Sequence, residues 1–380
     1  MKKLMILGVL LLSVLSAVAY DFEVDGLYYY ISYTSDLTCV VTRGNKKYAG
    51  DIKIPATVNY KNKELSVVEI GPNAFHGCTG LTSVAIPGSV TSIREYAFRG
   101  CTGLTSVTIP NSVTEISYNV FEGCTALTSV LIPSSVNYIG CQAFRGCSSL
   151  EEVTFEYSTS ILEFGWFVPK YDRVYETFED CNVLSKISIG RQLKIEDYRG
   201  NKKEVYDYLS DVMPIKQIAY LSILDGVNLE NFFYYNAELK NNLTTLNLGK
   251  NIIGFGIYGS SELKVSLEEY SKLETIICED PIPTPDCPKF SASQYANIKV
   301  YIPKGSLAAY QNAEGWKNFW DIIEMEESGI DSVTNDLERT EVGRYDLQGR
   351  KVAGDYNGIV IVKYSDGTAK KIINRNGNAK

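Results

Sequence analysis

Apolar and polar positions recur with a period of 23 residues across residues 65–155. Each copy follows the pattern A-F-x-G-C-x-x-L-x-x-V-x-I-P-x-S-V-x-x-I, and its phenylalanine recurs at Phe75, Phe98, Phe121 and Phe144. Self-similarity at a fixed period of this length is the signature of a solenoid, in which each copy forms one coil and buries its apolar face against neighbouring coils. The pattern therefore predicts one elongated array in this region.

The positions inside one copy predict its local structure. Val84 and Ile86 are two residues apart, which places both side chains on one face of a short strand. Pro87 lacks a backbone N–H and ends that strand. Val90 and Ile93 are three residues apart, and this spacing predicts a turn or half-helix on the way to the next copy.

The pattern continues in a weaker form after residue 155. It returns at Phe178 after a predicted insertion at residues 156–176. Further strand cores are predicted at residues 218–223, 243–248, 273–278 and 300–302. Tyr310, Trp316 and Trp320 are expected to close the open end of the array with aromatic side chains. The array thus divides into regular repeats at 65–190 and degenerate repeats with a C-terminal cap at 191–327.

The segments outside the array complete the predicted organisation. Residues 1–19 have two lysines, an apolar stretch and a small-residue cleavage pattern, as in a secretory signal peptide, with a short N-terminal anchor as the alternative. Residues 20–64 carry short alternating runs and predict a β-rich N-terminal cap, which a solenoid needs for solubility. Residues 328–341 are a polar linker. Residues 342–380 predict a small β-rich segment with a hairpin turn at Asp366-Gly367.

The repeats resemble the BspA-like leucine-rich repeats of surface proteins from Bacteroidales, on the A-F, G-C, L-x-x-V-x-I-P and S-V-x-x-I positions quoted above. The resemblance implies a β-rich α/β fold, a right-handed leucine-rich-repeat solenoid with a parallel sheet along one face. It also implies export to the cell exterior, a role in adhesion and no enzymatic activity or cofactor. The segment 342–380 resembles the C-terminal sorting segments of type IX secreted proteins, and a plain terminal β-module remains the alternative.

Composition and charge exclude several classes of function. The chain has 380 residues, a net charge of −8 and one histidine. An acidic chain is poorly suited to bind nucleic acid, and a single histidine leaves little room for histidine-based catalysis or a multi-histidine metal site. No nucleophile, phosphate-loop or zinc-protease motif occurs. We therefore predict a protein without enzymatic activity.

The cysteines at one repeated position could be interpreted as a metal or disulfide site: Cys78, Cys101, Cys124, Cys147 and Cys181. Stacked coils would point these thiols in parallel, which suits neither tetrahedral metal coordination nor a disulfide. We predict small buried apolar side chains and no metal site. Cys278 and Cys287 are close in sequence and could form a disulfide.

Two surfaces are candidates for ligand binding. The first is the outward face of the predicted sheet, which carries Ser83, Ser106, Thr108 and Ser129. The second is the aromatic insertion, with Tyr157, Phe164, Trp166, Phe167, Tyr171 and Tyr175. Exposed aromatic side chains suit sugar stacking or a protein contact. Small polar residues can equally serve only to keep a sheet soluble, and the aromatics can equally fold back into the core.

The resulting hypothesis is a secreted or cell-surface, adhesin-like binding protein. It would engage a host or bacterial surface protein or a glycan without catalysis, and it would have no transmembrane segment in the mature chain. The alternative is a structural or presenting surface scaffold with no ligand of its own.

Overall fold

The structure, a computed structural model, describes residues 20–32, 37–165, 176–191, 193–196, 202–204, 212–224, 227, 232–252, 256–257, 260–284, 287–325, 341–345, 358–364 and 369–374. The predicted signal peptide at 1–19 and the linker at 328–341, apart from its last residue, lie outside these ranges.

The described chain consists mostly of short strands. Those of the first half are β1 (Phe22–Val24), β2 (Leu27–Ile31), β3 (Thr38–Thr42), β4 (Gly50–Lys53), β5 (Thr57–Tyr60), β6 (Lys63–Ile70), β7 (Leu81–Ala85), β8 (Ser92–Ile93), β9 (Ser106–Thr108), β10 (Glu115–Ile116), β11 (Ser129–Ile132), β12 (Tyr138–Ile139), β13 (Glu152–Phe155), β14 (Leu162–Phe164) and β15 (Lys186–Ile189). Those of the second half are β16 (Leu193–Glu196), β17 (Lys202–Glu204), β18 (Tyr220–Ile223), β19 (Thr245–Leu248), β20 (Gly256–Ile257), β21 (Ser260–Lys264), β22 (Thr275–Cys278), β23 (Lys299–Ile302), β24 (Asp321–Glu324), β25 (Glu341–Tyr345), β26 (Gly358–Tyr364) and β27 (Ala369–Asn374). The α-helices are α1 (Phe232–Tyr235), α2 (Ala292–Asn297) and α3 (Leu307–Asn312).

The N-terminal strands, which we call the N-terminal cap, begin the sheet that continues into the repeats. Strands β1, β2 and β3 pair in antiparallel fashion. At β6 the pairing changes, because β6 runs parallel to β3 on one side and to β8 on the other. The cap therefore supplies the backbone partners that the first coil needs, and it begins the parallel stacking.

Each regular coil contributes two strands, one to each of two parallel ladders. The first ladder contains the V-x-I strands and consists of two hydrogen-bonded sheets: β4, β7 and β9 pair in that order in one, and β11, β13, β15, β18, β19, β22, β23 and β24 pair in that order in the other. The pairing is in register, as shown by Val130 opposite Val153 and Val153 opposite Ile187. The chain is thus a leucine-rich-repeat solenoid, and the degenerate repeats after the insertion keep the register of the regular ones.

The second ladder corrects one expectation. The V-x-x-I segment was predicted as a turn or half-helix, but its last two residues form the short parallel strands β8, β10 and β12, with Ile93, Ile116 and Ile139 in register. A two-residue segment is too short for the i to i−4 bonds of a helix. Its backbone groups therefore pair with the neighbouring coils, and the buried isoleucines stack below them.

A column of stacked phenylalanine rings occupies the core between the ladders. The ring centroids of Phe75, Phe98, Phe121, Phe144 and Phe178 follow one another at 4.9, 5.3, 5.2 and 5.0 Å, and the planes of successive rings differ by at most 14°. All five side chains are completely buried. We call this column the phenylalanine ladder. It continues across the insertion, because Phe178 takes the next place although more residues separate it from Phe144.

The terminal coil is closed by a different set of aromatic side chains from the one predicted. Tyr310 and Trp316 are buried and their rings meet edge to face at 5.5 Å. The Trp316 indole N–H donates to the carbonyl oxygen of Thr284 at 2.9 Å. Trp320, in contrast, is 81% exposed, so the prediction that it closes the core is wrong. Phe319, its neighbour in sequence, is buried in its place.

The C-terminal segment contains a separate antiparallel sheet. Strand β26 pairs with β25 on one side and with β27 on the other. The hairpin turn predicted at Asp366-Gly367, between β26 and β27, lies outside the described residues.

Candidate binding surface

The outward face of the first ladder is a regular surface that the repeats create. Along β7, the side chain of Val84 is buried while Ser83 and Ala85 point outward, as the alternation predicts. We define the outer face as the outward side chains of β7 to β15: Ser83, Ala85, Ser106, Thr108, Ser129, Leu131, Glu152, Thr154, Lys186 and Ser188. All of them are exposed or half-buried.

Beyond β15, several outward positions of the ladder are buried. The outward residues of the next strands, Ser222 on β18 and Asn247 on β19, are 3% and 2% exposed. The Asn247 amide nitrogen donates to Ser222 Oγ and to Glu279 Oε1, both at 3.0 Å. Ile277 on β22 is completely buried and packs with Tyr301 and Met325. A ligand therefore has access to the N-terminal half of the ladder.

Asp51 terminates the outer face at its N-terminal end. Its Oδ1 accepts hydrogen bonds from Thr82 Oγ1 at 2.8 Å and from Ser83 Oγ at 2.6 Å. These two bonds favour the carboxylate and lower the pKa of Asp51. The Ser83 hydroxyl is thus engaged within the protein, whereas Ser106, Thr108 and Ser129 remain exposed.

Two exposed apolar side chains lie on β11 and just after the end of β13. Leu131 on β11 is 49% exposed, and Tyr157, which follows the end of β13, is 52% exposed. Leu131 lies in the column that holds Ala85, Thr108 and Thr154 in the neighbouring copies. A leucine at an outward position of an otherwise small and polar column was visible in the sequence, although it was not among the predicted site residues.

The aromatic residues of the insertion divide between surface and core. Phe164 is 2% exposed and its ring meets that of Phe155 edge to face at 5.9 Å. This burial corrects the assignment of Phe164 to a ligand surface, because β14 turns the side chain inward to extend the second ladder. Tyr157 stays exposed. Four of the predicted aromatic residues lie outside the described residues: Trp166, Phe167, Tyr171 and Tyr175.

A buried arginine fixes the segment that carries Tyr157. Arg191 is 1% exposed, and its guanidinium donates to the carbonyl oxygens of Val136 at 2.7 Å, Ser134 at 3.1 Å, Ser160 at 3.2 Å and Pro133 at 3.3 Å. Burial lowers the pKa of this guanidinium, and the nearby Glu156 opposes the change. The carboxylate of Glu156 also accepts from the backbone N–H of Ser134 at 2.7 Å. Residues 133–136 and 156–160 are therefore held together next to the outer face.

The cysteine column belongs to the core. In the coils after the first, the column thiol donates to the phenylalanine carbonyl of the preceding coil, for example Cys101 to Phe75 at 3.0 Å and Cys124 to Phe98 at 3.2 Å. All nine cysteines are buried and none forms a disulfide, so the bridge considered between Cys278 and Cys287 is not formed. Burial raises the pKa of Cys101 to about 12. Among the described residues, no group of three or more His, Cys, Asp or Glu is placed to hold a metal ion.

We expect these thiols to resist alkylation in the folded protein. With a pKa of about 12, Cys101 is a thiolate in roughly one molecule in 10,000 at pH 8, and the thiolate is the reactive form. Folding therefore favours the protonated thiols, and the stability that they contribute is present below the pKa of an unfolded thiol and is lost as the pH rises toward 12. Iodoacetamide labelling at pH 8, read by mass spectrometry, should modify all nine cysteines after denaturation and almost none before it. Rapid labelling of the native column would contradict its burial.

Comparisons with known proteins find leucine-rich-repeat sequences and structures. The family model described as the BspA type leucine rich repeat region matches six copies over residues 67–169. A leucine-rich repeat protein from Bacteroides ovatus is 23% identical, with 77% of this chain and 81% of that chain covered and a TM-score of 0.39. One from Bacteroides capillosus is 32% identical, with 37% and 98% covered and a TM-score of 0.32. A leucine rich cell surface protein from Faecalibacterium prausnitzii is 19% identical, with 81% and 95% covered and a TM-score of 0.33.

Two further findings concern membrane-spanning helices and curated protein sequences. Within the ranges that the structure describes, no helix has the length and apolar character needed to cross a membrane. No curated protein sequence matches the chain.

Proposed function

This chain belongs to the BspA-type leucine-rich-repeat proteins, and from that premise we propose that it is an exported cell-surface protein that binds a protein or a glycan without catalysis. The outer face is the proposed contact surface. The observation that carries the proposal is the pair of exposed apolar side chains, Leu131 and Tyr157, beside a regular polar sheet surface.

The physical argument rests on what such a surface can contribute to binding. Parallel strands in register present side chains from a backbone that the ladder holds rigid, which limits the entropy lost on binding. Small polar groups at Ser106, Thr108 and Ser129 supply hydrogen bonds and allow close approach. Binding energy usually concentrates in a few apolar or aromatic side chains, and Tyr is among the residue types enriched there. Leu131 and Tyr157 have this character.

The location is proposed from the sequence and from the family. Residues 1–19 would direct export as a signal peptide, and residues 342–380 would either direct sorting or serve as a terminal β-module. Localisation of the chain in cell fractions, with and without residues 342–380, distinguishes these two roles. Loss of surface display on truncation supports sorting, and unchanged display supports the β-module.

We expect the double variant Leu131→Ser/Tyr157→Ser to bind its ligand at least about tenfold more weakly, because each side chain of a binding centre contributes on the order of 1 kcal/mol or more. The full chain is screened against extracellular matrix proteins and a glycan array, and the dissociation constant of any saturable ligand is then measured for each variant. Both residues are about half exposed, so the fold should persist in the variant.

A matched control distinguishes binding at this surface from nonspecific hydrophobic binding elsewhere. Tyr118 and Ile282 are 41% and 72% exposed and lie away from the outer face, so Tyr118→Ser/Ile282→Ser removes the same amount of aromatic and aliphatic character elsewhere. The control should bind within about twofold of the parent protein, an effect below 0.5 kcal/mol. Equal losses in both variants would contradict the proposed surface. A folded protein without any ligand in the screen would favour the alternative role of a structural scaffold.

A further inference from the structure

A basic pocket lies where the N-terminal cap meets the first coil of the array. Its volume is about 170 Å³, and its lining includes Arg43, Lys46 and Lys47 from the loop after β3 together with His76 and Cys78 from the first coil. His76 is the single histidine of the chain. Three fixed positive charges thus converge on one pocket of a protein whose net charge is −8.

The loop that carries these cations is anchored to the core. The Tyr48 hydroxyl donates to the carbonyl oxygen of Thr42 at 2.7 Å and accepts from the backbone N–H of Tyr28 at 3.1 Å. The Tyr48 ring lies 4.7 Å from that of Phe75 and so continues the phenylalanine ladder into the cap. Gly44 packs directly on the Tyr28 ring, where a Cβ atom would lie only 1.9 Å from a ring carbon. The cationic side chains therefore project from a fixed backbone.

Lys47 has a structural task that separates it from the other two cations. Within the array, the carbonyl oxygen of Arg99 accepts the N–H of Gly77 at 2.7 Å, and that of Glu122 accepts the N–H of Gly100 at 2.7 Å. The corresponding carbonyl of the first coil belongs to His76, and the Lys47 ammonium donates to it. Lys47 therefore takes the place of the glycine N–H that a preceding coil would supply, so the carbonyl oxygen of His76 at the N-terminal end of the array keeps a hydrogen-bond donor.

Arg43 and Lys46 remain available to a ligand. Both are exposed, and within the part of the chain that the structure describes neither takes part in an ion pair or a side-chain hydrogen bond. Among the described residues, the carboxylate that acts on His76 is that of Glu122, and it is already bound to Arg99 at 2.8 Å. The positive charge of the pocket is thus not neutralised from within.

We propose that this pocket binds one oxyanionic group of a ligand, a carboxylate, sulfate or phosphate, through Arg43 and Lys46 with His76 beside it. A guanidinium presents paired N–H donors that match the oxygens of such groups, and a lysine adds a point charge. Pockets for drug-sized ligands span about 300–1,000 Å³, so this smaller one fits a single charged group rather than a whole molecule. The site lies outside the outer face and does not depend on the function proposed for that face.

His76 provides the spectroscopic probe for a test. Partial burial, Lys47, Arg99 and Arg43 lower the pKa of His76, and Glu122 opposes them. A bound anion would add negative charge and raise this pKa. Because the chain has one histidine, its imidazole Cε1–H resonance can be followed by proton NMR in the full chain without assignment ambiguity.

We expect sodium sulfate, sodium phosphate or sodium glucuronate to raise the pKa of His76 in a saturable manner, beyond the effect of sodium chloride at equal ionic strength. Affinity for the anion should be about fivefold higher below the midpoint of the His76 titration than above it, as one added charge at about 4 Å in water predicts. The salt with the lowest dissociation constant identifies which of the three groups the pocket prefers.

Matched charge variants make the result specific. Arg43→Gln/Lys46→Gln should abolish the saturable increase, whereas Lys299→Gln/Lys317→Gln, which removes two exposed lysine charges near the far end of the array, should retain it. Because removal of Arg43 by itself raises the pKa of His76, the chemical shift of the neutral imidazole, measured above its titration midpoint without added anion, reports whether each variant keeps its local structure. The proposal is overturned if none of the three salts exceeds chloride, or if the Arg43/Lys46 variant keeps the parent response.

Discussion

Phe121→Ala is expected to destabilise the protein by about 3–5 kcal/mol, the range found when a buried aromatic side chain is truncated. The Phe121 ring stacks between those of Phe98 and Phe144, at centroid distances of 5.3 and 5.2 Å, and it is completely buried. Its removal leaves a cavity with a ring on each side, and neither ladder can close over it without losing its register. Urea unfolding of the full chain, followed by circular dichroism, measures the loss.

Local measurements show whether the damage stays within the array. Because each coil of a solenoid contacts only its neighbours, amide exchange should accelerate most in the coils of Phe98 and Phe144 and least in the terminal coil around Trp316. Leu131→Ala is the matched control, since Leu131 is 49% exposed and its truncation should cost at most about 0.5 kcal/mol. A Phe121→Ala variant that unfolds within about 1 kcal/mol of the parent would refute the stacked ladder as a source of stability.

The period of the sequence was sufficient to predict the first ladder. The V-x-I positions alternate inward and outward, and the structure places Val84, Val130 and Val153 in the core and Ser129 outside. Cysteine at a repeated position was correctly identified as a small core side chain. These predictions succeeded because each depends on a local alternation that neighbouring coils repeat, so that one rule applies to every copy.

The second ladder could not be recognised from the same pattern. Strands of two residues, such as β8 and β10, are too short for any alternation to appear, and only the backbone pairing between coils defines them. The aromatic insertion was ambiguous for a related reason. Tyr157 and Phe164 have similar aromatic character in the sequence, and which of them faces solvent depends on where β14 joins the ladder.

Arg191 illustrates a feature that side-chain patterns cannot reveal. In the regular coils, serine hydroxyls donate to the valine carbonyl of the preceding coil, Ser112 to Val90 and Ser135 to Val113. At the next coil the donor to Val136 is Arg191, 55 residues further along the chain. Its partners are backbone carbonyls, which every sequence possesses. The sequence around Arg191, a charged residue after a strand, therefore gives no indication that its side chain is buried.

We expect Arg191→Met to destabilise the protein by about 2–4 kcal/mol. The substitution keeps an unbranched side chain but leaves the carbonyl oxygens of Pro133, Ser134, Val136 and Ser160 without this donor, and each unsatisfied buried polar group costs about 1–3 kcal/mol. The net destabilisation is smaller than the sum of these costs, because methionine avoids the cost of burying a charge. Thermal and urea unfolding measure the net change in the free energy of unfolding. Amide exchange at residues 133–136 and 156–160 shows whether the destabilisation is local to these segments.

The conservative variant distinguishes hydrogen bonding from packing. Arg191→Lys keeps the positive charge, yet an ammonium has three donors and cannot reproduce a planar guanidinium that reaches four carbonyls. We expect its stability to lie between those of the parent and Arg191→Met, with exchange accelerated in the same two segments. If Arg191→Met is instead as stable as the parent, the burial of the guanidinium costs as much as its hydrogen bonds contribute. In that case Arg191 selects the conformation of the segment carrying Tyr157 without stabilising the fold, and the variant should then fold normally but lose the protection of residues 156–160.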